Sequence, residues 1–182
     1  MKKQFKAFWL ALFGVVWLVL MASSCHKTPT PESNPEPDLP LATQEGKGTI
    51  GCYINGKPWV PKPYVAIGIP KFLEIVFDES RGNYFGLRSI KDGSLSEYLN
   101  INAFDVKIGN NIIVSRNIES FYNSLGGNNC SNYYLDTTKT RILILTKVDK
   151  TANIISGTFE FTAINNCKDT LVFTRGRFDT KF

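Results

Sequence analysis

Histidine, the side chain that enzymes use most often as a base at neutral pH, occurs only once in this chain, at His26. That position precedes the region that we expect to fold, so the folded region lacks Ser-His-Asp catalysis, Cys-His catalysis and histidine-ligated zinc. The chain also has no P-loop and no GxGxxG motif after a predicted strand, which are the usual phosphate-binding glycine loops. We therefore expect no metal and no cofactor.

Carboxylates are the remaining groups that could catalyse a reaction, because two of them suffice to hydrolyse a glycosidic bond. The candidates are Asp78, Glu79, Asp92, Glu97, Asp105, Glu119, Glu160 and Asp179. Most of them stand at predicted turns or on outward strand faces, where a solvated charge is the simpler explanation. We do not expect an enzyme, and a carboxylate-dependent enzyme acting on glycans remains an alternative.

Cys25 follows a segment with the parts of a bacterial export signal. Three lysines precede the apolar run at residues 7–21, and small residues follow it at 22–24. The apolar run is shorter than the roughly 20 residues of a membrane-spanning helix. A cysteine in this place resembles the lipobox of bacterial lipoproteins, which predicts a signal peptide at 1–24 and acyl chains on Cys25. An uncleaved anchor or an ordinary secretory signal is the alternative.

Three cysteines remain if Cys25 carries lipid, and export places them where disulfides persist. An odd number allows at most one internal pair. Cys130 and Cys167 lie in polar, Asn-rich loop sequences, so we predict a disulfide between them. Cys52 lies in the middle of a predicted strand and is expected to act as a small buried hydrophobe. Three free thiols are the alternative.

Two regions follow the predicted signal. Residues 25–48 are rich in proline and acids and predict a disordered tether behind the lipid. Residues 49–182 are long enough for one domain with one core. The net charge falls from +5 to +2 once the three lysines of the signal are removed. This small charge gives no reason to expect binding to nucleic acid.

Apolar and polar residues alternate along the predicted domain with the period of a half-buried strand. The clearest alternation is at 157–163, and residues 141–148 are apolar on both faces, which predicts a central strand covered on both sides. Asn55-Gly56 between two such runs predicts a tight hairpin. The pattern indicates an all-β fold: a single antiparallel β-sandwich or a partly closed β-barrel.

Aromatic residues near predicted loops could bind a ligand or a partner. Tyr133 and Tyr134 are the candidate binding residues, with the alternative that they straddle a strand and one of them is buried. Trp59, between Pro58 and Pro61, is more simply a core residue beside the first hairpin.

Four segments together resemble a family of uncharacterised lipoproteins common in the Bacteroidota. They are CYINGKPWVP at 52–61, LTKVD at 145–149, IISGTFEFTA at 154–163 and GRFDTKF at 176–182. Members of the family show a lipobox, a low-complexity tether, an NGKxW start and an SGTFxFxA…GRFD end, and some carry a cysteine where Cys167 stands. The resemblance implies a β-rich domain in a diderm envelope and brings no assigned catalytic residue.

These observations favour a lipid-anchored protein of the cell envelope, on the periplasmic or the surface face of the outer membrane. We expect its domain to be a non-catalytic binding or accessory module whose partner is a glycan or an envelope protein. A lipocalin-like carrier of a small apolar ligand is the second alternative, and it predicts a closed sheet with an unfilled apolar interior.

Overall fold

The alternation of apolar and polar residues becomes a series of antiparallel strands in the computed structural model. The structure describes residues 38–62, 72–91, 97–114, 122–123 and 130–182. In this part of the chain the strands are β1 (Thr49–Ile54), β2 (Lys57–Trp59), β3 (Leu73–Asp78), β4 (Tyr84–Ile90), β5 (Tyr98–Ala103), β6 (Gly109–Ile112), β7 (Tyr122–Asn123), β8 (Asn132–Leu135), β9 (Arg141–Asp149), β10 (Ile154–Asn165) and β11 (Thr170–Lys181). A single 3₁₀ turn, Glu79–Arg81, separates β3 from β4.

All strand pairs are antiparallel, and the main order is β2-β1-β11-β10-β8-β7-β5-β4-β3. The long strand β10 organises this order, because it pairs with β11 along one edge and with two shorter strands along the other. Its first part, Ile154–Phe161, pairs with β9, and its last part, Ala163–Asn165, pairs with β8. Strand β6 then extends the sheet beyond β9.

The strands pack as two layers with the core between them. Ring contacts join the layers: Phe77 of β3 lies 5.6 Å from Phe182, and Phe85 of β4 lies 5.5 Å from Phe178 of β11, measured between ring centroids. Strands β2 and β3 form the two ends of the main order and are not hydrogen-bonded to each other in the described part of the chain. The predicted all-β sandwich is confirmed, and among these residues the sheet does not close into a barrel.

No helix long and apolar enough to cross a membrane occurs among the described residues.

The core is dominated by phenylalanine from the strands whose alternation is clearest. Phe161 of β10 and Phe173 of β11 are register partners, and their rings stack 4.2 Å apart. Trp59 is 2% exposed and Cys52 is fully buried, as predicted for both residues. Burial raises the pKa of the Cys52 thiol, so this cysteine stays protonated.

Strand β9 corrects one prediction. It is central, between β6 and β10, and its inward residues Leu143 and Leu145 are buried. However, Ile142 on the outer face is 39% exposed. The prediction that this strand is covered on both faces is therefore wrong at that residue, because no second layer covers its outer face among the described residues.

The Asn55-Gly56 turn forms as predicted. Both residues have positive φ, 49° and 76°, which is the requirement of the two-residue turn that matches the twist of a hairpin. The Asn55 side chain also binds β11: its amide nitrogen donates to the Thr170 carbonyl at 3.3 Å, and its oxygen accepts from the Val172 amide at 2.8 Å. The turn residue thus fixes the hairpin to the next strand as well as reversing the chain.

Two glycine–phenylalanine register pairs lie close together across β10 and β11, and the glycine is on β10 in one pair and on β11 in the other. Gly157 is the register partner of Phe178, and Phe159 is the register partner of Gly176. A Cβ on Gly176 would lie 2.3 Å from the Phe159 ring, and a Cβ on Gly157 would lie 2.3 Å from the Ile144 carbonyl oxygen and 2.8 Å from the Phe178 ring. The SGTF and GRF sequences are therefore explained by packing.

Candidate functional site

The two predicted binding tyrosines lie next to each other on β8, so their side chains leave opposite faces of the strand. Both are half-buried. Tyr133 packs against the core and lines a surface groove, whereas Tyr134 is not among the residues that line it. Cys25, the predicted lipidation site, lies outside the described residues.

The groove lined by Tyr133 has a cavity volume of about 420 Å³. Its other walls come from the β1–β2 hairpin, the end of β4, the start of β5 and the start of β11. The lining residues are Ile54, Asn55, Lys57, Pro58, Trp59, Lys91, Glu97, Tyr133 and Leu171. We call this feature the Trp59 groove. Its volume is within the range of ~300–1,000 Å³ that is usual for small-molecule sites.

A short polar chain organises one side of the Trp59 groove. The indole nitrogen of Trp59 donates to Glu97 Oε1 at 2.9 Å, and Lys91 Nζ lies 3.3 Å from the same oxygen. The backbone amide of Lys91 also donates to the Glu97 carbonyl oxygen at 3.0 Å. A buried indole N–H needs such an acceptor. Glu97 was a candidate catalytic acid in the sequence, but here it anchors the tryptophan and pairs with a lysine.

The chemistry of the Trp59 groove is that of a binding surface. Ile54 and Leu171 supply apolar surface, Tyr133 supplies an aromatic ring, and Lys57 and Lys91 supply ammonium groups. Among the described residues that line the groove, Glu97 is the single carboxylate, whereas glycosidic hydrolysis uses a pair. The arrangement can bind an amphipathic ligand through apolar contact and hydrogen bonds.

The other candidate acids serve turns and ion pairs in the described part of the chain. Asp78 accepts from Ser80 and pairs with Arg81 at 3.0 Å, and these contacts, the Ser80 hydroxyl first, lower the pKa of Asp78. Glu79 pairs with Lys150 at 2.5 Å. The positions of Asp78 and Glu79 are explained by these turn and ion-pair contacts at the surface. Glu160 accepts from the Arg175 amide, and Asp92 and Glu119 lie outside the described residues.

Asp179 is the exception, because it is 1% exposed rather than solvated as predicted. Its carboxylate accepts five hydrogen bonds. The donors are the Thr43 hydroxyl at 2.5 Å, the Ser156 hydroxyl at 2.8 Å, and the backbone amides of Glu45 at 3.1 Å, Gly46 at 2.7 Å and Lys47 at 3.2 Å. Four of these donors belong to the segment that leads into β1. Residues 38–48, which we call the strap, are therefore fixed to the sheet.

The strap shifts the predicted boundary between tether and domain. The tether was expected to end at residue 48, yet Thr43 binds Asp179, and the Gln44 carbonyl accepts from Lys147 Nζ at 3.1 Å. Leu39 is also buried. The packed region therefore begins about ten residues before the predicted boundary. These polar residues find their hydrogen-bond partners on β9 and β11.

The pKa of Asp179 results from two opposing effects, burial and hydrogen bonding. Burial alone would raise it, but the hydrogen bonds from Thr43, Ser156 and the strap amides outweigh burial and lower the pKa from 3.8 to about 2. The carboxylate is therefore held in its charged form by donors. The only signal in the sequence was an aspartate at an alternating position inside an otherwise ordinary strand.

The predicted Cys130–Cys167 disulfide is present, with a Cα–Cα distance of 5.5 Å. It joins the residues just before β8 to the turn between β10 and β11. Asn165 supports the same region: its amide nitrogen donates to the Cys130 carbonyl at 2.8 Å, and its oxygen accepts from the amides of Cys167 and Asp169. Because Asn165 is also the register partner of Tyr133, this cluster fixes β8 where Tyr133 borders the Trp59 groove.

Among the described residues no group of three or more histidine, cysteine, aspartate or glutamate side chains is placed to hold a metal ion. Comparison with family models, with curated proteins and with solved structures found no match to this chain.

Proposed function

We propose that this chain is a lipid-anchored envelope protein whose domain binds a ligand in the Trp59 groove. The single observation that carries the binding role is the groove itself, in which side chains from six strands or strand ends meet around an anchored tryptophan. The export signal before Cys25 and the resemblance to Bacteroidota lipoproteins support the location in the envelope, at the outer membrane. A glycan or an envelope protein is the proposed kind of partner.

The contacts of Glu97 support a binding role over a catalytic role. Its Oε1 atom already accepts a hydrogen bond from the Trp59 indole and pairs with Lys91 Nζ, so this oxygen serves to position two residues of the groove. The carrier alternative has less support, because it needs an unfilled apolar interior. The space between the layers is instead filled by side chains that include Phe85, Phe159 and Phe161, each nearly fully buried.

The lipid anchor is tested with the Cys25→Ala variant. We expect the variant to lose incorporation of labelled palmitate, because the thiol is the site of acylation, and to leave the membrane fraction. Acyl chains on this cysteine would hold the cleaved protein at the membrane. A variant that stays uncleaved and membrane-bound would show instead that residues 7–21 form a permanent anchor.

The groove is tested with Tyr133→Ala and its matched control Tyr134→Ala. Trp59 is the sole tryptophan after residue 24, so its fluorescence reports directly on the groove of the cleaved protein. The full lipoprotein in detergent is titrated with peptidoglycan fragments, lipopolysaccharide and acidic oligosaccharides. We expect at least one of them to change the emission, with an affinity about tenfold lower for Tyr133→Ala, as for a residue at the centre of a contact.

The Tyr134→Ala variant is the control for a general effect on β8. Tyr134→Ala should retain the affinity of the unmodified protein, because Tyr134 does not line the groove. Equal losses for both variants would indicate a general effect on β8. An emission spectrum that none of the three probes changes would remove the support for a ligand in the groove.

A further inference from the structure

The outer face of the β3–β4–β5 layer contains a strand position without a side chain. Gly86 of β4 lies directly between Val76 of β3 and Asn102 of β5, in an unbroken register on both sides. Glycine inside a strand without a bulge marks a close approach of another group, and at Gly86 that group is the Tyr84 side chain of the same strand. Around Gly86 the face sinks into a depression of about 170 Å³, which we call the Gly86 slot.

An aromatic ring and an amide are fixed at the edge of the Gly86 slot. Tyr84 leans over the glycine, since a Cβ at position 86 would lie 2.6 Å from its hydroxyl oxygen. The Tyr84 ring packs 5.2 Å from Phe104, and its hydroxyl donates to Asn102 Oδ1 at 2.7 Å. This bond sets the orientation of the Asn102 amide, because the oxygen is used by tyrosine and the NH₂ group must point the other way.

The next row of the same face carries balanced charges. Arg88 of β4 is the register partner of Glu74 of β3 on one side and of Asn100 of β5 on the other, and all three line the depression. A guanidinium, a carboxylate and an amide in one row offer several hydrogen-bond donors and acceptors. Their formal charges cancel, so the row favours neither an anion nor a cation.

These features define the ligand by its chemistry. Val76 is 45% exposed and, with the Tyr84 ring, offers apolar surface beside the amides. A pyranose ring has a C–H face for such a surface and adjacent hydroxyl groups that donate and accept, which suits the Asn102 amide and the Arg88 guanidinium. The slot is smaller than the sites of drug-sized ligands, which begin at about 300 Å³, and this size suits one sugar ring.

We propose that the Gly86 slot, bounded by Val76, Tyr84 and Asn102 with the Glu74–Arg88–Asn100 row at its end, binds one ring of a neutral saccharide chain. The slot shares no lining residue with the Trp59 groove, so the two sites are independent. A polymer is the expected ligand, because the slot is open along the face and the next rings of a chain can continue beyond it.

The test measures depletion of the full lipoprotein from solution by four insoluble neutral polysaccharides: cellulose, β-1,3-glucan, mannan and starch. Polygalacturonate serves as the charged counterpart. We expect binding to at least one neutral polymer and weaker binding to polygalacturonate. Gly86→Val would place its Cβ 2.6 Å from the Tyr84 hydroxyl, so it should displace the Tyr84 ring from the slot and weaken binding at least about tenfold, as for a central contact residue.

Two further variants keep the test decisive. Arg88→Gln changes an exposed side chain, so it leaves the fold intact, and it should also weaken binding. Val172→Ala changes an exposed residue on β11, outside both sites, and should bind like the unmodified protein. No binding to any neutral polymer, preference for polygalacturonate, or unchanged binding by Gly86→Val would each overturn the proposal. Binding that is lost in Tyr133→Ala and kept in Gly86→Val would place the sugar in the Trp59 groove.

Discussion

Gly176→Ala and Gly157→Ala are each expected to lower the free energy of unfolding by more than about 4 kcal/mol, in the range reserved for severe core disruption. In Gly176→Ala the added methyl group would lie 2.3 Å from the Phe159 ring, a buried core side chain that would have to leave its present position. In Gly157→Ala the collision is with the Ile144 carbonyl oxygen, so β9 must separate from β10. Urea denaturation of each variant measures the loss.

The matched control is Thr158→Ala, on β10 between Gly157 and Phe159. Its side chain points to the outer face and is half-buried, so the expected loss is below about 1 kcal/mol. A double variant isolates the cause: Phe159→Leu should recover part of the stability that Gly176→Ala removes, because a smaller side chain vacates the contact. If Gly176→Ala alone lost no more stability than Thr158→Ala, the reciprocal packing would be refuted.

Asp179→Ala is expected to lower the free energy of unfolding by about 3–4 kcal/mol, because hydrogen bonds to a charged acceptor are strong and their buried donors lose a partner. The strap amides of Glu45, Gly46 and Lys47 should then exchange hydrogen much faster, which mass spectrometry detects directly. Asp136→Asn is the matched control. Asp136 accepts comparable bonds from Thr138, but it is only half-buried and these bonds serve a local turn, so little stability should be lost.

The same carboxylate predicts a pH dependence. Its pKa is about 2 in the folded protein and 3.8 ordinarily, so its contribution is complete above about pH 4 and is lost as the pH falls towards 2. After allowance for solvent screening the lost contribution is about 1–2 kcal/mol. Acid denaturation of Asp179→Asn should lack this part of the loss. If the variant and the unmodified protein lose stability in parallel between pH 4 and pH 2, the carboxylate is not held as described.

Local signals in the sequence predicted the parts of the fold that depend on neighbouring residues. The Asn55-Gly56 hairpin formed because its positive φ angles are a requirement of the turn alone. One contact over 37 positions, the Cys130–Cys167 disulfide, was also predictable, because an odd number of cysteines beyond Cys25 allows only one internal pair and both of these cysteines lie in polar loop sequence.

Contacts between distant residues could not be predicted in this way. Asp179 and Thr43 are 136 positions apart, so nothing near Asp179 indicated that it would be buried among donors. Trp59 and Glu97 are 38 positions apart, and nothing near either residue indicated the hydrogen bond between them. The outer face of β9 was misjudged because an apolar residue has the same appearance in a sequence whether a second layer covers it or not.

The strap also determines where a pulling force on the N-terminal segment first acts on the domain. A pull on the chain before residue 38 first acts on the buried Leu39 and then on residues 43–47, whose bonds converge on the single carboxylate of Asp179. Those bonds must break before the force can act on β1, which lies next to β11 in the sheet. If the chain is held by an N-terminal lipid, as proposed, the hydrogen bonds of Asp179 would bear the tension, and the β1–β11 ladder would carry load only after those bonds broke.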